Sequence, residues 1–131
     1  MKLKLFIGGL MLVCLPILCS AQGSRNTHPQ TTASMAPAWA SAHEYKNDKN
    51  VYFPDYYTFY NPVRGYICYS GGQWVSSKSA PAFMAKVDMN KARVHIFNED
   101  AIPHPEENYN SYRDMYPAQK VATTVPVPAI K

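Results

Sequence analysis

Apolar and aromatic positions crowd into residues 51–77, VYFPDYYTFYNPVRGYICYSGGQWVSS, where nine side chains are aromatic and two turn signals cut the run into short pieces. Ser70-Gly71-Gly72-Gln73 predicts a two-residue hairpin loop, because a type I′ turn needs positive φ at both central positions and glycine adopts it cheaply. Asn61-Pro62-Val63-Arg64-Gly65 predicts a four-residue loop over 62–65, with Pro62 presetting φ and Gly65 taking a left-handed exit. The flanking runs are β-branched and aromatic, which suits a pleated surface. Three strands of a meander are therefore expected at residues 57–60, 66–69 and 73–76. A fourth run, 51–53, should end at a bend, since Pro54 cannot donate to a central ladder.

These loops set a register. A Gly71-Gly72 loop puts Tyr69 opposite Trp74 and Cys68 opposite Val75. A loop of 62–65 puts Phe59 opposite Cys68 and Tyr60 opposite Ile67. Opposed residues share a face and neighbours along a strand alternate. One face would then carry Tyr57, Phe59, Tyr66, Cys68 and Val75, and the other Thr58, Tyr60, Ile67, Tyr69 and Trp74. Neither is polar, so one must pack on something and the other must be covered or used.

After the meander, Ser79 reads as an N-cap and Pro81 as a first-turn residue of a short helix running to about Val87, with Phe83 and Val87 as an i,i+4 pair. Residues 93–97 alternate, with Val94 and Ile96 on one side, and predict a fifth strand. Pro105-Glu106-Glu107 opens a second helix, its two acids beside the positive end of the dipole. Tyr109, Tyr112 and Tyr116 fall on one stripe, and Pro117 stops it. The fold class is α+β, a small antiparallel β-meander of three to five strands with two short helices.

The flanks read differently. Residues 1–21 have the form of a secretory signal peptide: Lys2 and Lys4, the fourteen-residue apolar run from Leu5 to Leu18, then Cys19-Ser20-Ala21. That run is short of the roughly 20 residues that span a bilayer, so no membrane span is expected after cleavage. Lipidation at Cys19 would want a small residue before it, and Leu18 is not small, so cleavage after Ala21 without lipid is expected. Residues 22–49, rich in Ser, Thr, Ala, Asn and Gln, read as a flexible linker. Residues 50–117 form the domain, and 118–131 read as a disordered tail.

Cleavage changes the charge and the cysteines. Removing Lys2 and Lys4 takes the formal charge from +4 to +2, so no nucleic-acid partner follows from the basic composition. It also removes Cys14 and Cys19, leaving Cys68 with no internal disulfide partner. Cys68 has no CxxC neighbour or adjacent cation to lower its pKa, and reads as a small buried residue.

Candidate chemistry is sparse. His104 with Glu106 and Glu107 is the densest metal-like cluster, with His95 not far off in sequence. HPEE ahead of a helix lacks the spacing of a convergent site and reads as a solvated helix N-terminus. No Ser/His/Asp set or paired carboxylates stand out, so neither an enzyme nor a cofactor is expected. The aromatic face is the better candidate. Tyr60, Ile67, Tyr69 and Trp74 could form a flat platform for a partner's apolar patch or for sugar rings, since Tyr and Trp combine a ring with a polar handle. The competing reading is that one of the helices covers that platform as core. Phe59, Cys68, Val75, Phe83, Val94 and Ile96 are the expected core, with Trp74 at least partly exposed.

The meander resembles a group of small exported, tyrosine-rich hypothetical proteins of Gram-negative bacteria, with the pattern YYYP…VYYD…G-x-YIY…NG-x-W. Here it appears as Val51-Tyr52-Phe53-Pro54, Thr58-Phe59-Tyr60-Asn61, Gly65-Tyr66-Ile67-Cys68-Tyr69 and Gly71-Gly72-Gln73-Trp74. Cys68 and Gly71 replace a tyrosine and an asparagine of the pattern. The resemblance implies an exported α+β mini-domain and carries over no catalytic residue. The expected function is an exported, periplasmic or extracellular, non-enzymatic binding or assembly module of the cell envelope acting on a protein. A carbohydrate-binding module is the alternative, and a metal-dependent or enzymatic accessory factor a third.

Overall fold

The computed structural model describes residues 36–129. The expected signal peptide, its cleavage site and Cys19 lie outside the described residues. Among the described residues five strands form one sheet: β1 (Val51–Phe53), β2 (Thr58–Asn61), β3 (Gly65–Ser70), β4 (Gln73–Ser77) and β5 (His95–Ile96). Their order is β4-β3-β2-β1-β5, and each neighbouring pair is antiparallel. The meander of the sequence reading is present, with β5 added beside β1. The α-helix of the described residues, α1 (Tyr109–Met115), follows a 3-10 turn at Pro105–Asn108.

Turn chemistry explains the strand ends. Pro54 closes β1 and opens a 3-10 turn, and Tyr57 leaves that turn with a positive φ of 46°. Gly71 and Gly72, at φ 58° and 83°, make the two-residue β3–β4 loop. As expected, Tyr69 pairs with Trp74 and Cys68 with Val75. The β2–β3 loop departs from expectation by one residue. Phe59 pairs with Ile67, Tyr60 with Tyr66 and Asn61 with Gly65, so the loop is 62–64. The cause is the buried Asn61 side chain. Its Oδ1 accepts the backbone N–H of both Val63 and Arg64 at 2.9 Å, while its Nδ2 donates to Asn50 Oδ1 at 2.9 Å and to the Ile102 carbonyl at 2.8 Å. That set of bonds tightens the turn ahead of Gly65.

A one-residue slip moves a strand's side chains to opposite faces relative to its neighbour. Phe59 therefore shares a face with Tyr52, Ile67 and Trp74, and not with Cys68 and Val75. Tyr60 shares the other with Val51, Phe53, Tyr66 and Cys68. Gly65, at φ 85°, carries the new register. A Cβ there would sit 2.4 Å from the Ser77 carbonyl oxygen and 3.0 Å from the Lys78 Cα. Gly65→Ala should therefore incur about 1–2 kcal/mol of left-handed strain and a further 1–3 kcal/mol or so of overpacking. Gly71→Ala, with nothing within 4 Å of its Cβ, incurs the strain alone. Denaturant midpoints should rank the two, and equal losses would contradict the close approach.

Both faces of the sheet are covered. Tyr52, Phe59 and Ile67 pack with Phe97 and Tyr109, flanked by Tyr57, Trp74, Tyr112 and Tyr116. On the opposite face, Val51, Phe53, Tyr60 and Tyr66 pack with Trp39, Ala40, Tyr45, Met84 and Ala92. The expected flexible linker is corrected here. Its residues 22–35 are outside the described region, but from Pro37 the chain turns, and Trp39 is buried with its indole N–H donating to the Tyr66 hydroxyl at 2.7 Å. The expected helix from Ser79 is also corrected. Only a 3-10 turn, Ala82–Met84, forms, with Pro81 and not Ser79 before it. So short a segment has little helical stability of its own, and burial of Met84 against the sheet decides its path.

The fully buried Tyr52 stacks on Phe59 at 4.7 Å, yet its hydroxyl has no hydrogen-bond partner among the described residues. An orphaned buried hydroxyl costs about 1–3 kcal/mol. Tyr52→Phe is expected to raise the melting temperature, and a drop would show that the hydroxyl is paired in solution.

The C-terminal segment packs as well, against the expectation of a disordered tail. Val125 and Pro128 are buried, and Asp55 Oδ1 accepts from Arg93 Nη2 at 2.8 Å, Gln119 N at 2.7 Å and Lys120 N at 3.2 Å. Burial alone would raise the Asp55 pKa, but Arg93 and the two amides outweigh it and hold the carboxyl below its ordinary range. His95 lies over Tyr116 with ring centroids 3.6 Å apart, and burial lowers its pKa against a smaller opposing pull from Glu99. Both folded pKa values are below the unfolded ones, so the folded chain binds fewer protons and stability falls as pH drops. His95 acts below its ordinary value of 6.5 and Asp55 only below 3.8. The melting temperature should fall between about pH 7 and about pH 5, and the fall should shrink in His95→Gln. Equal falls in the two proteins would remove His95 from the account.

Candidate binding cleft

The expected platform of Tyr60, Ile67, Tyr69 and Trp74 is not assembled. Tyr60 is 4% exposed on the face that packs against Trp39, and Ile67 is fully buried on the other. The slip in the β2–β3 register separates them. Tyr69 and Trp74 do come together, each half-buried, near the sheet's β4 edge. Their rings lie 5.6 Å apart at 74°, so they form a corner and not a plane. Trp74 also meets Phe59 at 5.8 Å and Tyr109 at 5.3 Å.

Of the expected core, Phe59 and Cys68 are buried, while Val75, Phe83, Val94 and Ile96 are half-buried. Burial raises the Cys68 pKa, which keeps the thiol protonated at neutral pH.

The corner is one wall of a cleft of about 430 Å³. Tyr69, Gln73 and Trp74 come from the β3–β4 hairpin, and Glu106, Glu107, Tyr109 and Asn110 from the start of the helical segment, with Ala129 at its rim. The size falls in the range of small-molecule sites, which combine aromatic walls with a few polar groups.

Sequence reasoning missed the role of Glu106. The HPEE run was expected to be a solvated helix start, and Glu107 and His104 are indeed exposed. Glu106 is only 8% exposed. Its Oε1 receives Arg64 Nη1 at 2.7 Å, and His104 Nδ1 lies 3.3 Å away. Arg64 Nη1 also donates to the Pro103 carbonyl at 2.7 Å, tying the β2–β3 loop to the run ahead of the helix. A buried carboxylate needs such a partner, because its desolvation is otherwise costly. Among the described residues, no three His, Cys, Asp or Glu side chains gather where they could hold a metal.

Three residues that line the cleft carry buried, unpaired atoms. Glu106 Oε2, the Tyr109 hydroxyl and Asn110 Oδ1 are buried atoms without a hydrogen-bond partner among the described residues. Burial, with a smaller push from Tyr57, raises the Tyr109 pKa to about 12, so its hydroxyl keeps its proton across the neutral range. Aromatic rings and orphaned acceptors on facing elements suit a ligand that offers hydrogen-bond donors. No protein-family model matches the chain, and neither does any curated protein or solved structure.

Proposed function

We propose that this chain is an exported, non-enzymatic binding module of the bacterial cell envelope, working through the cleft between the β3–β4 hairpin and the start of α1. The observation that carries the reading is the Tyr69–Trp74 corner. With both faces of the sheet covered, it is where aromatic rings meet in a half-buried cleft with polar groups opposite. Export rests on the form of residues 1–21 and on the resemblance of the meander to small exported proteins. No helix among the described residues is long and apolar enough to cross a membrane.

A soluble envelope extract tests this. It is expected to raise the melting temperature of the native chain and not that of Tyr69→Ala, which removes half the corner. Activity in the low-mass filtrate of the extract indicates a small ligand, and activity only in the retained fraction a protein partner. Equal shifts in both proteins, or none, overturn the cleft as the binding locus. An intact mass beginning at Gln22 supports export with cleavage, and a retained or lipidated Cys19 overturns that step.

A further inference from the structure

We infer that the cleft takes a neutral, hydroxyl-rich ring: one sugar residue of a glycan. This deepens the binding reading above and rests on it. The walls and the polar groups ask for different things, and a sugar supplies both. Trp74 and Tyr69 line the cleft with aromatic rings, whose faces carry negative quadrupole charge and favour the C–H-bearing side of a pyranose. Across the cleft, Glu106 and Asn110 belong to its lining, and Glu106 Oε2 and Asn110 Oδ1, buried beneath its surface, accept without donating and have no partner among the described residues. Glu106 and Tyr109 are each more than nine-tenths buried, so their orphaned atoms carry a desolvation cost that a small side-chain adjustment toward ligand hydroxyls would relieve.

Charge narrows the class. An anionic ligand would meet the Glu106 and Glu107 carboxylates that line the cleft. A cationic amine would suit the rings and the exposed Glu107 at the cleft, which is why an amine is among the probes below, but the charge of the buried Glu106 is already matched by Arg64 at 2.7 Å. What that carboxylate has left is an acceptor oxygen for a neutral donor.

The test is titration of the isotope-labelled chain, expressed with its own N-terminal segment and used as purified, followed by amide and indole NMR. The probes are maltotriose, cellotriose, mannotriose and chitotriose, with spermidine as the amine and trigalacturonate as the anion. At least one neutral trisaccharide is expected to give saturable shifts at Trp74, Gln73 and Asn110. Tyr69→Ala should weaken that binding at least tenfold. Tyr109→Phe, which loses one oxygen and keeps the ring, should weaken it several-fold without lowering the melting temperature. Spermidine or trigalacturonate shifting these signals while the neutral sugars do not overturns the ligand class and leaves the cleft as a site. No shift from any probe, or sugar binding unchanged in Tyr69→Ala, overturns the inference. If Tyr69→Ala is unfolded, Gln73→Ala, at an exposed position of β4, replaces it in the same comparison.

Discussion

Phe59→Ala is expected to unfold the domain under conditions where Trp74→Ala stays folded. Phe59 has no exposed surface and contacts Tyr52, Trp74 and Tyr112 at ring separations of 4.7, 5.8 and 5.8 Å. It sits where β2 meets α1, so its removal leaves a cavity walled by aromatic rings. Such truncations cost about 3–5 kcal/mol. Small domains hold about 5–15 kcal/mol in total, and one with no disulfide among its described residues has little in reserve. Trp74 is half-buried and meets solvent on its cleft side, so losing it removes a smaller share of buried area. Thermal melts of the two variants decide it. A folded Phe59→Ala beside an unfolded Trp74→Ala would show that the packing is assigned to the wrong residues.

Trp39→Ala should be as damaging as Phe59→Ala. The indole is 2% exposed and lies 5.3 Å from the rings of Tyr45, Phe53 and Tyr60. Its truncation empties the centre of the second core at about 3–5 kcal/mol and deprives the buried Tyr66 hydroxyl of its donor. Trp39→Phe refills part of the space and should recover most of the loss. What remains combines the space the smaller ring leaves with the lost hydrogen bond, itself about 1 kcal/mol. Denaturant titrations measure both. A Trp39→Ala protein as stable as the native one would return the segment before β1 to the status of a linker.

What the sequence discloses about this fold is its local chemistry. Gly71 and Gly72 fix the β3–β4 hairpin because the φ values they need belong to glycine wherever the loop sits. Pro54 ends β1 for an equally local reason, and the stripe of Tyr109, Tyr112 and Tyr116 follows from helical spacing. The β2–β3 register is not local. It depends on Asn61 finding Asn50 and Ile102, 11 and 41 positions away, and the slip of one residue there redistributes the expected platform. Trp39 is hidden for a similar reason. Its neighbours in sequence have the composition of a linker, and it is the rings of Tyr45, Phe53 and Tyr60 and the Tyr66 hydroxyl, all later in the chain, that make it core. Glu106 reads as a dipole partner at a helix start until Arg64, 42 positions earlier, is placed beside it. Half of the cleft, Tyr69 opposite Trp74, is thus legible from the sequence. The half supplied by Glu106, Tyr109 and Asn110 is not.

The hydrogen bond from Trp39 to Tyr66 also constrains the order of events in time. A chain that emerges N-terminus first, from a ribosome or through a membrane, delivers Trp39 before any of the strands it packs against. Its acceptor arrives 27 residues later, and Met84, buried in the same core, later still. Until then the indole has at most the rings that follow it closely in the chain to pack against, and its core is incomplete. The first residue of this core to emerge is therefore fully enclosed only when the last ones, Met84 and Ala92, have followed.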